Sequence, residues 1–567
     1  MSNQKTGAAG TKQGREVFST RAAFIFAAIG SAVGLGNIWR FPYVAYESGG
    51  GAFLIPYLVA LLSAGIPLLF LDYALGHRYR GSAPKVFRRI KSWAEPIGWI
   101  QVGVAFFITI YYAVIIAYAA LYAVKSVGKS WGEDPEGYFF GDFLQLDAEP
   151  LTSFDFVLPI TATLLLVWLV VIGILAAGVD KGIGRTATFF IPLLAVLFVG
   201  VVIYALTLDG ATDGLNAFFT PNWGALADTS VWIAAYGQIF FSLSIAFGIM
   251  LTYASYLKPR SNLSGSALVA GFANSSFEVL AGVGVFAALG FMAAQTGVGV
   301  EEVVTGGIGL AFVAFPAVIS EMSPVVGPIF GVLFFLSLAI AGLTSLVSLV
   351  EVVISAVQDK LNLPRVAAVL SVGGAMALIS MLLFPTTSGL VTLDIMDKFT
   401  NNVGIVGVAI VSLITLGWVL RRGDEIANHI NAVSSFRAGA LWKVCTFILT
   451  PAVLVITLFN ELRGLLAENY EGYSNAQINV FGWGVIAFIV VMAFVLSALP
   501  WGGNQSLSGP PGSDFGVPVG LRTGKNGNPG NSLVNGGHLP AAGASPTAAA
   551  PAAAGSGETT NDRDGEV

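Results

Sequence analysis

Gly30-Ser31-Ala32-Val33-Gly34-Leu35-Gly36-Asn37 lies inside an apolar run that extends over about 19–45. A run of that length spans a bilayer as a helix. Each glycine costs a helix about 1 kcal/mol relative to alanine, and this stretch carries Gly30, Gly34 and Gly36. A break here frees amides and carbonyls at mid-membrane depth. Unpaired main-chain groups in hydrocarbon are costly, so such a break persists only where it lines a cavity or binds something. The other reading is a glycine face that lets two helices pack closely.

A second stretch has the same character. Ser242-Leu243-Ser244-Ile245-Ala246-Phe247-Gly248, flanked by Gln238 and Thr252, interrupts a run at about 231–257. That run opens a second block of five spans, as 19–45 opens the first. Broken helices at matching places in two blocks point to an inverted-repeat transporter with its site at the midplane. The chemistry follows from the helix ends. A half-helix N-terminus offers free amides and a positive dipole, which suit a carboxylate. Freed carbonyls, hydroxyls and amide oxygens suit a dehydrated sodium ion. The combination fits an amino acid with sodium better than a sugar or a lipid.

The rest of the chain agrees. Of 567 residues, 55% are hydrophobic and only 11% charged, with mean hydropathy +0.76. Soluble domains carry about 25% charged residues, so a soluble globular enzyme is excluded. Continuous apolar runs also exclude a β-barrel, whose strands alternate. Twelve spans are predicted, at about 19–45, 52–76, 97–124, 156–177, 187–207, 231–257, 265–294, 327–357, 365–384, 398–420, 438–461 and 476–499. The first inverted repeat is 19–207, the second 231–420, and 438–499 holds two extra spans. A short apolar stretch at 308–319, broken by Pro316, reads as a loop helix or re-entrant piece. The expected class is an all-α membrane protein.

Orientation rests on basic residues in short loops. Arg78, Arg80, Lys85, Arg88, Arg89 and Lys91 share one loop; Lys181 and Arg185, Lys258 and Arg260, Lys360 and Arg365, and Arg421 and Arg422 fall on the same side. The loop 126–155 has seven acids and one base, Lys129. Both termini, including the 1–18 segment, are therefore expected in the cytoplasm of a multi-pass cell-membrane protein. Residues 501–567, rich in Gly, Pro, Ala and Ser, read as a disordered cytoplasmic tail. The net charge of −5 says little about partners, and no basic stripe suggests nucleic acid. The lone Cys445 forms no intrachain disulfide, and the three histidines (His77, His429 and His538) lack metal-ligand spacing and are placed in loops or tail. No cleavable leader is read, so the first span is taken as retained.

Gly34-Leu35-Gly36-Asn37-Ile38-Trp39-Arg40-Phe41-Pro42-Tyr43, then Glu47-Ser48-Gly49-Gly50-Gly51-Ala52-Phe53-Leu54-Ile55-Pro56-Tyr57, resembles the neurotransmitter:sodium symporter family. Gly237-Gln238-Ile239-Phe240-Phe241-Ser242-Leu243-Ser244, Thr252-Tyr253-Ala254-Ser255-Tyr256 and Ala341-Gly342-Leu343-Thr344-Ser345 extend the likeness over roughly 15–500. The resemblance implies the leucine-transporter-like fold and two sodium sites. The first would use the Ala32 carbonyl, Asn37, Ser242, Asn274 and the substrate carboxylate. The second would use carbonyls of Gly30, Val33 and Ala341 with hydroxyls of Thr344 and Ser345. For that hydroxyl pair, back-bonding to the preceding turn is the alternative. The carboxylate would meet amides of Leu35 and Gly36 and the Tyr112 hydroxyl. The amine would meet carbonyls of Ala32, Phe241 and Ser244. Ile108, Phe241, Ser244, Phe247, Ser345 and Leu349 would form the side-chain pocket, which favours a neutral hydrophobic substrate. Ala246 stands where one member of that family has a glycine and is expected to crowd the pocket floor, favouring Leu, Met, Ala or Val over Trp.

Buried acids are costly and usually functional. Glu278 lies one helical turn after Asn274. By resemblance it supplies the charge that chloride supplies beside Tyr57, Gln238, Ser242 and Asn274 in chloride-dependent members. No chloride requirement is therefore expected. Arg40 and Asp397 would gate the outer side; Arg15, Phe18, Tyr256 and Asp359 would gate the inner. Asp72 and Glu351 read as structural hydrogen-bonding acids. A membrane enzyme would need clustered catalytic groups, which the sequence lacks. A channel or a transport-inactive amino acid sensor on the same fold is the competing reading. A homodimer or a small accessory subunit is compatible with it.

Overall fold

The structure is a computed structural model that describes residues 15–304, 306–503 and 505–511. Long apolar segments wind into helices because the chain must bond its own main-chain groups in hydrocarbon. Their ends carry local stop and start signals. Thr20 accepts from the Ala23 amide at 3.1 Å and opens Arg21–Ala32. Asn262 does the same for Leu263–Thr296 through the Gly265 amide at 2.9 Å, and Gly297 closes that helix at φ +70°. No β-strand forms among the described residues; two isolated bridges join Gly50 to Pro221 and Phe156 to Thr386.

Among the described residues, ten helices are long and apolar enough to cross a membrane. Arg21–Ala32 and Leu35–Glu47 make an eleventh span bent by 53°. The expected sixth span is also interrupted: Thr229–Ser242 and Ile249–Ala254 hold 14 and 6 residues, each too short to cross alone. Between them Ser244, Ala246 and Gly248 take φ of +53°, +69° and +91°. Each left-handed non-glycine residue costs about 1 kcal/mol, and such strain gathers at functional sites. The architecture is therefore a helical membrane fold with two severed helices. Its centre is the pairing of Glu95–Lys125 with Val326–Leu361, against which Arg21–Ala32 also packs.

Three expectations need correction. Pro316 does not break the loop helix: Gly307–Glu321 continues through it, with a π-helical turn at Leu310–Ala314 immediately before the Phe315–Glu321 segment that holds the proline. The predicted tail boundary at 501 is too early: residues 501–503 and 505–511 pack on the helical unit, while 512–567 and 1–14 lie outside the described residues. Nor are His77 and His429 loop residues. The second span runs on to Tyr79, and Gly423–Val433 forms a helix in the connection after residue 419.

Both histidines are fully buried, with His77 Nδ1 and His429 Nε2 2.9 Å apart. His77 Nε2 is 3.0 Å from the Lys258 carbonyl, which only accepts, so His429 is the donor within the pair. Burial, the His77 ring and the nearby Arg78 and Arg80 hold the His429 pKa below its usual value. The unfolded chain thus binds a proton that the folded chain refuses. Stability should fall by about 1.4 kcal/mol for each pH unit below roughly pH 6. Thermal melting between pH 7 and 5 checks this, and His429→Gln should flatten the slope.

Candidate functional site

Both breaks face one cavity of about 530 Å³. Ala32, Leu35, Gly36, Ile108, Tyr112, Phe241, Ser244, Phe247, Ser345 and Leu349 all line it. Leu35–Glu47 starts here with no acidic residue in its first turn, so its positive end is left uncompensated. The Leu35 amide donates to the Tyr112 hydroxyl at 3.3 Å. Glycine is required where the walls close in. A Cβ on Gly36 would stand 2.1 Å from Phe241 Cε1, and one on Gly34 would stand 2.9 Å from Ser345 Oγ. The C-terminal ends of Arg21–Ala32 and Thr229–Ser242 bring carbonyls, and negative dipole ends, to the same place.

The residues of the expected second sodium site come together. Ser345 Oγ lies 3.2 Å from the carbonyls of Gly30 and Ser31 and 3.4 Å from that of Val33. One hydroxyl proton serves three acceptors. Thr344 Oγ1 back-bonds to Ile340 and Ala341 carbonyls at 3.2 and 3.0 Å. At the expected first site, Asn37 Nδ2 donates to Asn274 Oδ1 at 2.8 Å and Asn274 Nδ2 to Ser242 Oγ at 3.1 Å. Asn37 Oδ1 accepts from the Gly34 amide at 2.9 Å and so pins the break. Ser244 Oγ ties the second break to the first by donating to the Ser31 carbonyl at 2.9 Å, and Ser348 Oγ, from Val326–Leu361, donates to Ser31 Oγ at 2.8 Å.

Glu278 is fully buried; the Tyr57 hydroxyl donates to it, and Gln238 Nε2 donates at 2.6 Å. Ala246, by contrast, does not line the cavity. Its amide donates to Asp72 Oδ2 at 3.2 Å, so the methyl bears on backbone strain in the break rather than on the pocket floor. Asp72 is thereby the anchor of the second break.

The two ends of the cavity differ. Towards the acid-rich loop it continues past Arg40 and Asp397 to Lys398, Tyr470 and Glu471. Arg40 stacks 4.6 Å over Phe241, and Asp397 accepts from Asn401 at 2.7 Å, with no ion pair between the two. On the basic side the groups close up. Arg15 Nη1 is 2.9 Å from Asp359 Oδ2, its Nε and Nη2 donate to Ser255 and Ser355 at 3.0 Å, and its guanidinium covers Tyr256 at 4.7 Å. Phe18 is buried edge-on against Tyr253 and Tyr256. Lys85 and the Ser82 amide also hold Asp359, at 3.1 and 2.8 Å. Glu351 accepts from Tyr256 at 2.6 Å and twice from Arg365 at 2.7 Å. The sequence marks Glu351 and Asp72 as intramembrane acids but not their partners, which are distant along the chain.

The sodium:neurotransmitter symporter family description matches residues 15–133 and 130–501. An uncharacterised sodium-dependent transporter of Methanocaldococcus jannaschii is 40% identical, over 86% of this chain and 97% of the relative. The human sodium- and chloride-dependent neutral and basic amino acid transporter B(0+) is 28% identical over 86% of each chain. The Drosophila melanogaster sodium-dependent serotonin transporter is 30% identical, over 84% of this chain and 81% of the relative.

Proposed function

The chain belongs to the sodium:neurotransmitter symporter family, and from that premise we propose that it carries a neutral, hydrophobic amino acid into the cell together with sodium. The family is one of sodium-coupled transporters, not enzymes. The observation that carries the reading is the set of three main-chain carbonyls gathered at Ser345 Oγ beside an uncompensated helix N-terminus. The first gathers round a cation, the second faces a carboxylate, and the lining of Ile108, Phe247 and Leu349 suits an apolar side chain.

In this reading the acid-rich side is extracellular and the basic side cytoplasmic. Sodium enters at Ala32, Asn37, Ser242 and Asn274, and at Gly30, Val33, Ala341, Thr344 and Ser345. The substrate carboxylate completes the first site, so each ligand raises the affinity of the other. Arg40 and Asp397 then draw together as water leaves. The spans 21–47, 51–79, 229–254 and 263–296 rock against the rest, and the Arg15–Asp359 side opens. The arrangement described above, joined at Asp359 and unpaired at Asp397, corresponds to the outward-facing member of this cycle.

Uptake by proteoliposomes, with and without an inward sodium gradient, against a panel of neutral amino acids is the test. Gradient-driven accumulation of Leu, Met, Ala or Val supports the reading. Binding without accumulation would make the chain a sensor, and flux without coupling a channel. Chloride should have no effect, because Glu278 supplies a fixed carboxylate next to Tyr57 and Gln238. Glu278→Ser should make uptake chloride-stimulated; a variant as chloride-indifferent as the parent refutes this assignment.

A further inference from the structure

The first residues beyond the last helix are bound to the basic face of the bundle. Trp501 Nε1 donates to Glu95 Oε2 at 3.1 Å, and Lys360 Nζ lies 4.7 Å from the Trp501 ring centre. Glu95 is fully buried and also pairs with Lys360 at 2.7 Å and Arg88 at 2.9 Å. The Gly502 amide donates to the Lys360 carbonyl, and Gln505 Nε2 to the Asp359 carbonyl, both at 2.8 Å. Arg89 Nε donates to the Ser506 carbonyl at 3.0 Å, and its own carbonyl accepts from the Gly509 amide at 3.0 Å.

Arg89 makes this more than a packed terminus. Its Nη1 also holds the carbonyls of Arg80, at 2.8 Å, and Tyr79, at the end of the second span. Through Arg89 the segment grips a helix that moves in the proposed cycle. Through Lys360, Asp359 and Glu95 it grips two helices of the frame. It therefore bridges the joint that must part when the basic side opens. Ser82 and Lys85 cross the same joint to the Asp359 carboxylate, which also holds Arg15.

We propose that residues 501–503 and 505–509 form a strap that holds the basic side closed, so that its release favours opening toward the cytoplasm. The proposal rests on the alternating-access reading above. Most of its bonds are to main-chain carbonyls, so the strap needs few apolar residues of its own. Each bond contributes little, and together they bias an equilibrium rather than lock it.

Hydrogen–deuterium exchange of the purified full chain, in sodium-free buffer, tests it. Peptides covering 15–32 and 79–90 report opening, and peptides from 95–125 report the frame. Truncation after Pro500, and the double variant W501A with Q505A, should speed exchange in the first two about fivefold, the effect of losing one or two net hydrogen bonds. Truncation after Pro511, which spares the strap, should match the full chain. Equal exchange in all four proteins overturns the proposal. So does faster exchange spread equally into 95–125, which would make the segment a part of the fold. Sodium-driven uptake by the full chain is a separate readout. A chain that accumulates nothing but shows strap-dependent exchange loses the transport reading and keeps the strap.

Discussion

Ser345→Ala is expected to weaken sodium binding about tenfold or more while the fold stays intact. The side chain is buried, and its oxygen touches the Gly30, Ser31 and Val33 carbonyls. Alanine keeps the helix and nearly the same volume, so the Val326–Leu361 packing should persist. What disappears is one neutral oxygen facing three main-chain oxygens that repel one another. A cation relieves that repulsion and uses the hydroxyl as a ligand; a methyl can do neither. The measurement is the sodium dependence of the melting temperature, which rises with ligand by mass action. The parent should gain stability with sodium in the millimolar range and the variant only at much higher concentration. Ser348→Ala serves as the control. It removes a hydroxyl that bonds to Ser31 Oγ and the Ser345 carbonyl but none of the three gathered carbonyls. Equal sodium dependence in parent and Ser345→Ala would sink the assignment.

The breaks themselves are legible in the sequence because glycine and serine at mid-span depth conflict with the local rule for a membrane helix. The conflict points to function. Gly36 shows how far this goes: its presence suggests a break, yet the Phe241 ring that forbids a Cβ comes from a distant helix. Ala246 shows the limit. Read as an added methyl, it predicts a crowded pocket; in the fold, φ of +69° turns its amide to Asp72 and takes it off the cavity wall. A dihedral angle leaves no trace in composition. Asp72 and Glu351 stand out as buried acids, but their partners Ala246, Tyr256 and Arg365 follow from tertiary placement. The segment at 501–503 and 505–511 fails for a related reason. Poverty in apolar residues correctly says that it cannot fold alone. It is silent about a stretch that borrows a surface and binds chiefly through main-chain bonds and one tryptophan.

Asp359→Ala is expected to abolish concentrative uptake. The carboxylate accepts from Arg15 at 2.9 and 3.1 Å, Lys85 at 3.1 Å and the Ser82 amide at 2.8 Å, and is largely shielded from water. Removing it leaves two cations and an amide with no acceptor at their meeting point. Breaking a buried pair by deleting one partner typically costs about 3–5 kcal/mol. The loss falls on one conformation only. When the basic side opens, Arg15 leaves Asp359 and becomes hydrated, so the deleted carboxylate stabilises the closed form far more than the open one. The balance should therefore move toward the open form by about a hundredfold or more. A ligand must then restore the closed form at its own expense, which lowers apparent sodium affinity by the same factor. Accumulation against a gradient fails, because the sodium-bound state no longer waits on the outer side. The conservative variant Asp359→Asn keeps an acceptor for Ser82 and should fall between the two. Deuterium exchange over 15–32 should rise in the order parent, Asn, Ala. If Asp359→Ala accumulates substrate within about threefold of the parent, the Arg15–Asp359 contact is an ordinary interfacial ion pair, whose usual worth is below about 1 kcal/mol, and the basic-side gate lies elsewhere.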